Sequence, residues 1–135
     1  MENNLIKIFI SFMILTVTLL ADLKNEYPTQ KFLNSKIPIV DIRTPPEWVE
    51  TGILKDAITI MFFNERGDYD IKGFLAELNK KVDTTKPFAL ICRTGSRTKI
   101  LSQFLAKEIG YDVINLEGGM MYVKGMKLQI LPYKK

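Results

Sequence analysis

The chain of 135 residues contains no histidine and a single cysteine, Cys92. Without histidine, serine–histidine and cysteine–histidine catalysis are excluded, and the commonest general base is missing. One cysteine closes no intramolecular disulfide, and it leaves only carboxylates as further zinc ligands. We therefore expect neither a metal ion nor a cofactor, and any nucleophilic chemistry has to rest on Cys92 without help from an imidazole.

The sequence also lacks a concentrated run of one charge. Lys and Arg number 19 against 15 Asp and Glu, which gives a net charge of +4. The basic residues are scattered, and aromatic residues do not alternate with them as a base-stacking surface requires. We expect no nucleic-acid partner, and the modest positive field favours small anionic molecules.

One long uncharged apolar run lies near the amino terminus. It extends from Ile8 to Ala21, after Lys7 and before Asp22, which is the layout of a secretory signal. As a helix it would rise about 21 Å, short of the roughly 30 Å hydrocarbon core of a bilayer. We predict that residues 1–21 are a signal peptide, with a retained anchor over 5–21 or a core helix as alternatives. The protein is then exported, to the periplasm in a bacterium, and touches a membrane only through an uncleaved segment.

Residues 22–135 read as a single domain with strands and helices in alternation. Short apolar runs of the kind found in buried strands occupy 37–42, 57–62, 87–91 and 112–116. Predicted helices follow the caps Thr29 and Thr44, cover 71–82 and 98–109, and extend from 119 to about 126. Strands of this kind alternating with helices predict an α/β domain whose parallel sheet is covered on both faces.

Two of these helices carry specific sequence signals. The helix after Thr44 has Pro45 at its first position and Glu47 at the capping-box position, and it ends at Gly52. The helix over 98–109 is expected to end at Gly110. Its apolar face is predicted to comprise Ile100, Leu101, Phe104, Leu105 and Ile109.

The segment Cys92-Arg93-Thr94-Gly95-Ser96-Arg97 lies between a predicted strand and a predicted helix. A loop of this kind directs backbone N–H groups inward, and the positive end of the next helix dipole favours an anion there. A thiolate would be stabilised without a histidine. The two arginines could hold an oxyanion. The alternative is a buried structural cysteine beside an ordinary turn.

The loop C-R-T-G-S-R resembles the C-x-x-G-x-R active-site loop of rhodanese-like sulfurtransferases. Three further segments resemble motifs of that family in the same order: Val40 to Arg43, the stretch from Glu47-Trp48 through Gly52 to Ile58, and Leu116-Glu117-Gly118-Gly119-Met120. The resemblance extends over roughly residues 29–126. It implies a three-layer fold with a central parallel sheet of about five strands between helices.

The resemblance also implies an activity. Cys92 would take sulfane sulfur from a small anionic donor such as thiosulfate and pass it, as a persulfide, to cyanide or a thiol, including a protein thiol. The amides of residues 93–97 (Arg93, Thr94, Gly95, Ser96 and Arg97) would cradle the persulfide, and the two arginines would orient the donor. Asp41, Arg43 and Glu47 would be structural supports, with an ordinary surface ion pair as the alternative for Asp41 and Arg43.

Three positions depart from the family pattern. Ile53 stands where the family has histidine, Asp56 where it has glycine, and Val123 where it has tryptophan. Other functions also stay open. Cysteine phosphatases and arsenate reductases use a longer loop, C-x-x-x-x-x-R, whereas Arg97 is the fifth residue after Cys92. A persulfide carrier that loads once and does not turn over is the more serious alternative.

Overall fold

The computed structural model describes residues 21–135, and its centre is a sheet of five strands. These are β1 (Leu23–Glu26), β2 (Ile39–Asp41), β3 (Ile58–Thr59), β4 (Phe88–Ile91) and β5 (Val113–Leu116). Their order across the sheet is β1-β5-β4-β2-β3, and every neighbouring pair is parallel. The middle strand, β4, is buried at every residue, as expected for a strand with helices on both of its faces.

Residues 21–135 form five α-helices, of which the first four connect successive strands and the last follows β5. They are α1 (Gln30–Asn34), α2 (Pro45–Thr51), α3 (Ile71–Lys81), α4 (Ser96–Phe104) and α5 (Gly119–Gly125). A π-helical turn, Leu105–Ile109, continues α4 and ends at Gly110 in the left-handed conformation. Within residues 21–135 none of the helices has the length and apolar character needed to cross a bilayer.

Two apolar layers lie on opposite faces of the sheet, because alternate side chains of a strand point to opposite sides. Phe88 and Leu90 of β4 join the layer under α3 and α4. Ala89 and Ile91 join the layer that contains Phe32 of α1 and Val123 of α5. The predicted three-layer α/β fold with about five parallel strands is confirmed.

Several details differ from the sequence-based expectation. β1 was not predicted, and β3 comprises two residues rather than 57–62. Ile100 was assigned to the apolar face of α4, which is wrong, since it is 62% exposed. The helix there begins at Ser96, two residues before the predicted start. The apolar run predicted to be a signal lies outside the described residues, apart from Ala21.

Candidate functional site

The cysteine loop occupies the carboxyl end of the central strand. β4 ends at Ile91, Cys92 follows directly, and α4 begins at Ser96. Gly95 is the N-cap of α4, with φ of 96°, a left-handed conformation that glycine adopts without strain. The loop therefore has the strand–turn–helix form expected from the sequence, at the edge of the sheet where α/β folds bind ligands.

The Cys92 sulfur lies between an apolar layer and two polar groups. The residue has no exposed surface and belongs to the apolar layer under α3 and α4. Facing it, the Gly95 N–H donates a hydrogen bond to Sγ at 3.2 Å. The Thr98 hydroxyl oxygen lies 3.6 Å from Sγ. The amides of residues 93–97 were expected to form the cradle. Within residues 21–135, the Gly95 amide is the one that donates a hydrogen bond to the sulfur.

The two glycines before α5 hold the loop from the side. The N–H groups of Met120 and Met121 donate to the carbonyl oxygens of Cys92 and Arg93, at 2.9 and 3.0 Å. Gly119 has φ of +55°, and a Cβ added to it would overlap both of these carbonyl oxygens. A side chain at this position would thus prevent α5 from approaching the loop.

Arg97 is held by Glu47 rather than left free. Its Nη1 and Nη2 atoms donate to the two carboxylate oxygens of Glu47 at 2.7 and 2.8 Å. The same carboxylate accepts from the Thr44 N–H at 3.3 Å, as a capping box does. Chiefly because of the hydrogen bonds from Arg97, the pKa of Glu47 falls from 4.5 to about 2. The same hydrogen bonds raise the pKa of Arg97.

The other polar residues of the loop face solvent. Arg93, Thr94 and Ser96 are exposed, and the Thr94 and Ser96 hydroxyl oxygens lie 3.3 Å apart. Arg93 forms no ion pair with any residue between 21 and 135. Of the two arginines predicted to orient an anion, Arg93 is therefore the one whose charge is not already matched by a carboxylate.

Asp41 and Arg43 form a fully buried ion pair, so the surface-pair alternative is wrong. Their side chains are 0% and 1% exposed, and Arg43 Nη2 lies 2.8 Å from Asp41 Oδ2. The Trp48 indole N–H donates to Asp41 Oδ1 at 3.1 Å. The guanidinium also donates to the Gly52 carbonyl oxygen at 2.7 Å and to Thr51 Oγ1 at 2.6 Å. These bonds join the end of β2 to the middle and the carboxyl end of α2, which carries Glu47.

The three departures from the family pattern take defined structural places. Asp56 adopts φ of 61°, a left-handed conformation that aspartate tolerates better than most residues. Ile53 forms an antiparallel bridge with Leu131 in the carboxyl-terminal segment. Val123 is fully buried in the layer under α5.

A buried polar chain behind the sulfur was missed by the sequence analysis. Thr98 Oγ1 donates to Asn115 Oδ1 at 2.6 Å, and Asn115 Nδ2 donates to Asn25 Oδ1 at 3.0 Å. Asn115 is 2% exposed. The available signal was an asparagine inside the apolar strand run V-I-N-L, which needs a partner when buried.

Two cavities lie away from the cysteine loop. One, of about 490 Å³, is lined by residues 60–62, 64 and 68–70 and by α3, and another, of about 770 Å³, lies between α1 and residues 54–56. Among residues 21–135 there is no group of His, Cys, Asp and Glu side chains placed to hold a metal ion.

Comparison with known proteins places this chain in a family. The family model described as "Rhodanese-like domain" matches residues 17–125. An uncharacterized protein of Rickettsia prowazekii (strain Madrid E), RP600, is 33% identical over 109 residues, which cover 76% of this chain and 86% of that protein. A Bacillus subtilis (strain 168) protein named "Putative sulfurtransferase YtwF" is 27% identical over 92 residues, which cover 68% of this chain and 78% of that protein.

A solved structure shows the same architecture. The crystal structure of a rhodanese-related protein from Thermoplasma volcanium matches with a TM-score of 0.60 and 20% sequence identity. The match covers 82% of this chain and 99% of that one. At this level of identity the similarity concerns the fold.

Proposed function

The chain belongs to the rhodanese-like domain family, and from this membership we propose that it is a sulfurtransferase that carries sulfane sulfur as a persulfide on Cys92. The donor in this proposal is a small sulfur-containing anion such as thiosulfate. The acceptor is cyanide or a thiol. The observation that carries the proposal is the hydrogen bond from the Gly95 N–H to Cys92 Sγ, 3.2 Å long, at the start of α4.

The proposed chemistry needs no oxidant or reductant. The Cys92 thiolate attacks the outer sulfur of thiosulfate, and a new S–S bond forms to Cys92. The S–S bond of thiosulfate breaks, and its electron pair leaves with sulfite. An acceptor such as cyanide then attacks the outer sulfur of the persulfide, which yields thiocyanate and restores the thiolate. Both thiolate and persulfide are anions, so a nearby N–H donor and a helix amino terminus favour each of them.

The two arginines have different parts in this proposal. Arg93 is exposed and unpaired with carboxylates of the described chain, so it is suited to attract the donor anion. Arg97 has both terminal nitrogens bonded to Glu47. We propose that it positions α4, and with it the loop, rather than contacting the donor in this arrangement.

Burial of the sulfur supports a second candidate function. Cys92 has no exposed surface, so a donor reaches Sγ only after the residues around the sulfur move. Slow opening would suit a carrier that loads once and delivers its sulfur to a partner protein. Steady-state thiocyanate production separates the two functions, because a carrier gives a single turnover whereas an enzyme continues.

The persulfide is tested by intact-mass measurement of the reduced full chain after incubation with thiosulfate. We expect a gain of about 32 Da, one sulfur atom, that cyanide removes. Cys92→Ser should show no gain. If Cys92→Ser kept full thiocyanate production, or if the parent chain gained no sulfur from thiosulfate or from a low-molecular-weight persulfide, the proposal would be wrong.

The role of Arg93 is tested by Arg93→Ala. The KM for thiosulfate should rise by about three- to tenfold, the effect of losing one charge-assisted contact, while kcat changes little. Lys107→Ala removes one positive charge from an exposed site in the π-helical turn and serves as the control. An equal effect of the two variants would mean that only net charge matters.

A further inference from the structure

Asn115 lies at an improbable place for an amide side chain. It is in β5, 2% exposed, and the flanking residues Ile114 and Leu116 are buried apolar side chains. Burying an amide is costly unless its polar atoms find partners. Both do: Oδ1 accepts from Thr98 at 2.6 Å, and Nδ2 donates to Asn25 at 3.0 Å. An unbroken polar chain therefore leads from the sulfur to the exposed Asn25 on the edge strand.

Which group donates and which accepts in these hydrogen bonds depends on the charge of the sulfur. A threonine hydroxyl has one hydrogen, and two oxygens compete for that of Thr98: Asn115 Oδ1 at 2.6 Å and the Gly95 carbonyl oxygen at 3.1 Å. The shorter contact places the hydrogen toward Asn115 Oδ1. The oxygen then presents a lone pair to Sγ, 3.6 Å away, and can accept a hydrogen bond from a thiol. A thiolate accepts hydrogen bonds only, so the Thr98 hydroxyl stabilises that state when its hydrogen leaves Asn115 Oδ1 and the Gly95 carbonyl oxygen and turns toward the sulfur.

All the hydrogen bonds between Cys92, Thr98, Asn115 and Asn25 can reverse their direction at small steric cost. If Thr98 donates to sulfur, its oxygen can accept from Asn115 Nδ2 once the Asn115 amide has turned over. Turning an amide exchanges an oxygen and a nitrogen of similar size. The Asn25 amide must turn as well, and because Asn25 is exposed, water can satisfy it in either orientation.

The charged groups around the sulfur do not change when these hydrogen bonds reverse. They are the ion pairs Arg97–Glu47 and Asp41–Arg43, the exposed Arg93, and the partly buried Glu117 that follows β5. In each ion pair the two opposite charges neutralise each other. The layer under α3 presents apolar side chains to Cys92. Rearrangement of neutral hydrogen bonds is therefore the local response left to a change of charge on the sulfur.

We propose that Asn115 is a positioning residue that acts through Thr98: the orientation of its amide sets whether the Thr98 hydroxyl accepts from a Cys92 thiol or donates to a Cys92 thiolate. The proposal rests on the proposed function for its use in sulfur transfer. The hydrogen-bond relay Asn25–Asn115–Thr98 then stabilises the reactive anion in a site that has no histidine.

The test measures the rate at which iodoacetamide alkylates Cys92 in the reduced full chain, as a function of pH. Thr98→Val removes the hydroxyl, and Asn115→Asp offers only acceptor oxygens that retain the Thr98 hydrogen. Each should move the midpoint of the pH profile upward and lower the rate near neutral pH by about three- to tenfold, the effect of one hydrogen bond to a charged group. Thr98→Ser should restore the parent profile.

A double variant separates the relay from plain electrostatics. If Asn115→Asp acts through the Thr98 hydrogen, its effect should largely disappear in the Thr98→Val background. If it acts only through its negative charge, the effect should be the same in both backgrounds. Asn34→Asp introduces the same charge on the exposed surface of α1 and is the control. Thr98→Ala replaces Thr98→Val if the valine variant does not fold.

An unchanged profile in the Thr98 variant, or an undiminished Asn115→Asp effect in the double variant, would overturn the relay. The alkylation measurement requires no sulfur donor, so it tests the relay even if no persulfide forms. Conversely, a persulfide on the parent chain together with unchanged profiles in the variants would leave the proposed function intact and reject the relay alone.

Discussion

Gly119 shows how a single residue fixes the geometry of the cysteine loop. Its φ of +55° is one that side chains strain to adopt, and a Cβ would overlap the carbonyl oxygens of Cys92 and Arg93. Those oxygens receive the N–H groups of Met120 and Met121. The requirement for glycine is thus set by backbone contact between α5 and the loop, and the sulfur is affected through the loop.

Gly119→Ala should lower the free energy of unfolding by at least about 2 kcal/mol, because positive φ and steric overlap act together. It should also speed alkylation of Cys92, since α5 would be displaced from the loop. Urea unfolding and iodoacetamide kinetics measure the two effects. Gly125→Ala is the matched control, because a Cβ there meets nothing within 4 Å. Equal stability of the two variants would contradict the role given to Gly119.

At the scale of elements, the pair Glu47–Arg97 connects α2 with α4. The two residues are 50 positions apart in the chain, and each side chain is 25% exposed. Glu47 belongs to the capping box at the start of α2, and Arg97 lies in the first turn of α4. The pair therefore sets the distance between the two helices that follow β2 and β4.

Glu47→Gln should lower the free energy of unfolding by about 1 kcal/mol at neutral pH. The pKa of Glu47 is lower in the folded chain, so ionised Glu47 stabilises the fold above its ordinary pKa of 4.5, and this contribution is lost as the pH falls from 4.5 towards 2. Urea unfolding of parent and variant across this range measures the difference, which should shrink as the pH falls.

Glu77→Gln is the control for that measurement, because Glu77 pairs with Lys81 on the exposed surface of α3. Its effect should be about 0.3 kcal/mol. A difference between parent and Glu47→Gln that stayed constant from neutral pH to about pH 3 would show that Glu47 acts without its charge.

The sequence predicted the strands and helices whose apolar residues are spaced by burial. It did not predict an element whose side chains are largely exposed. Strand β4 and helix α3 were readable because the apolar residues of each face a core layer. Strand β1, Leu-Lys-Asn-Glu, was missed because it pairs only with β5 and is largely exposed. Its polar side chains give no alternation that indicates a strand.

The candidate site was predictable where its features follow from a local sequence pattern, and not where they depend on contacts between distant segments. The spacing of the cysteine loop between a strand and a helix was visible in the sequence, and so was the capping box at Glu47. The pairing of Glu47 with Arg97 and the contact between Thr98 and Asn115 depend on how distant segments come together. A local pattern carries no information on such contacts, so the hydrogen bonds between Arg97 and Glu47 were not predicted.

At the scale of the whole molecule, we propose that residues 1–21 direct export of the domain formed by the rest of the chain. Leu15→Arg places a charge in the apolar run, at a cost of about 3 kcal/mol for insertion. The variant should stay in the cytoplasm of an expressing bacterium, while Leu15→Val is exported. Cell fractionation and the intact mass of the exported chain measure the outcome and show whether the segment is removed. Export of Leu15→Arg at the parent level would reject the proposal.

The complete burial of Cys92 also governs how copies of the chain meet in an oxidising compartment. A disulfide requires two sulfur atoms about 2.05 Å apart, and a sulfur with no exposed surface approaches its counterpart in another molecule only when the residues around it move in both copies. Since the chain has no second cysteine, a crosslink between two folded copies requires both sites to open at the same time, and covalent dimerisation is therefore slow. Native samples stored without reductant should therefore migrate as single chains in denaturing gels, whereas samples oxidised while unfolded should form crosslinked pairs.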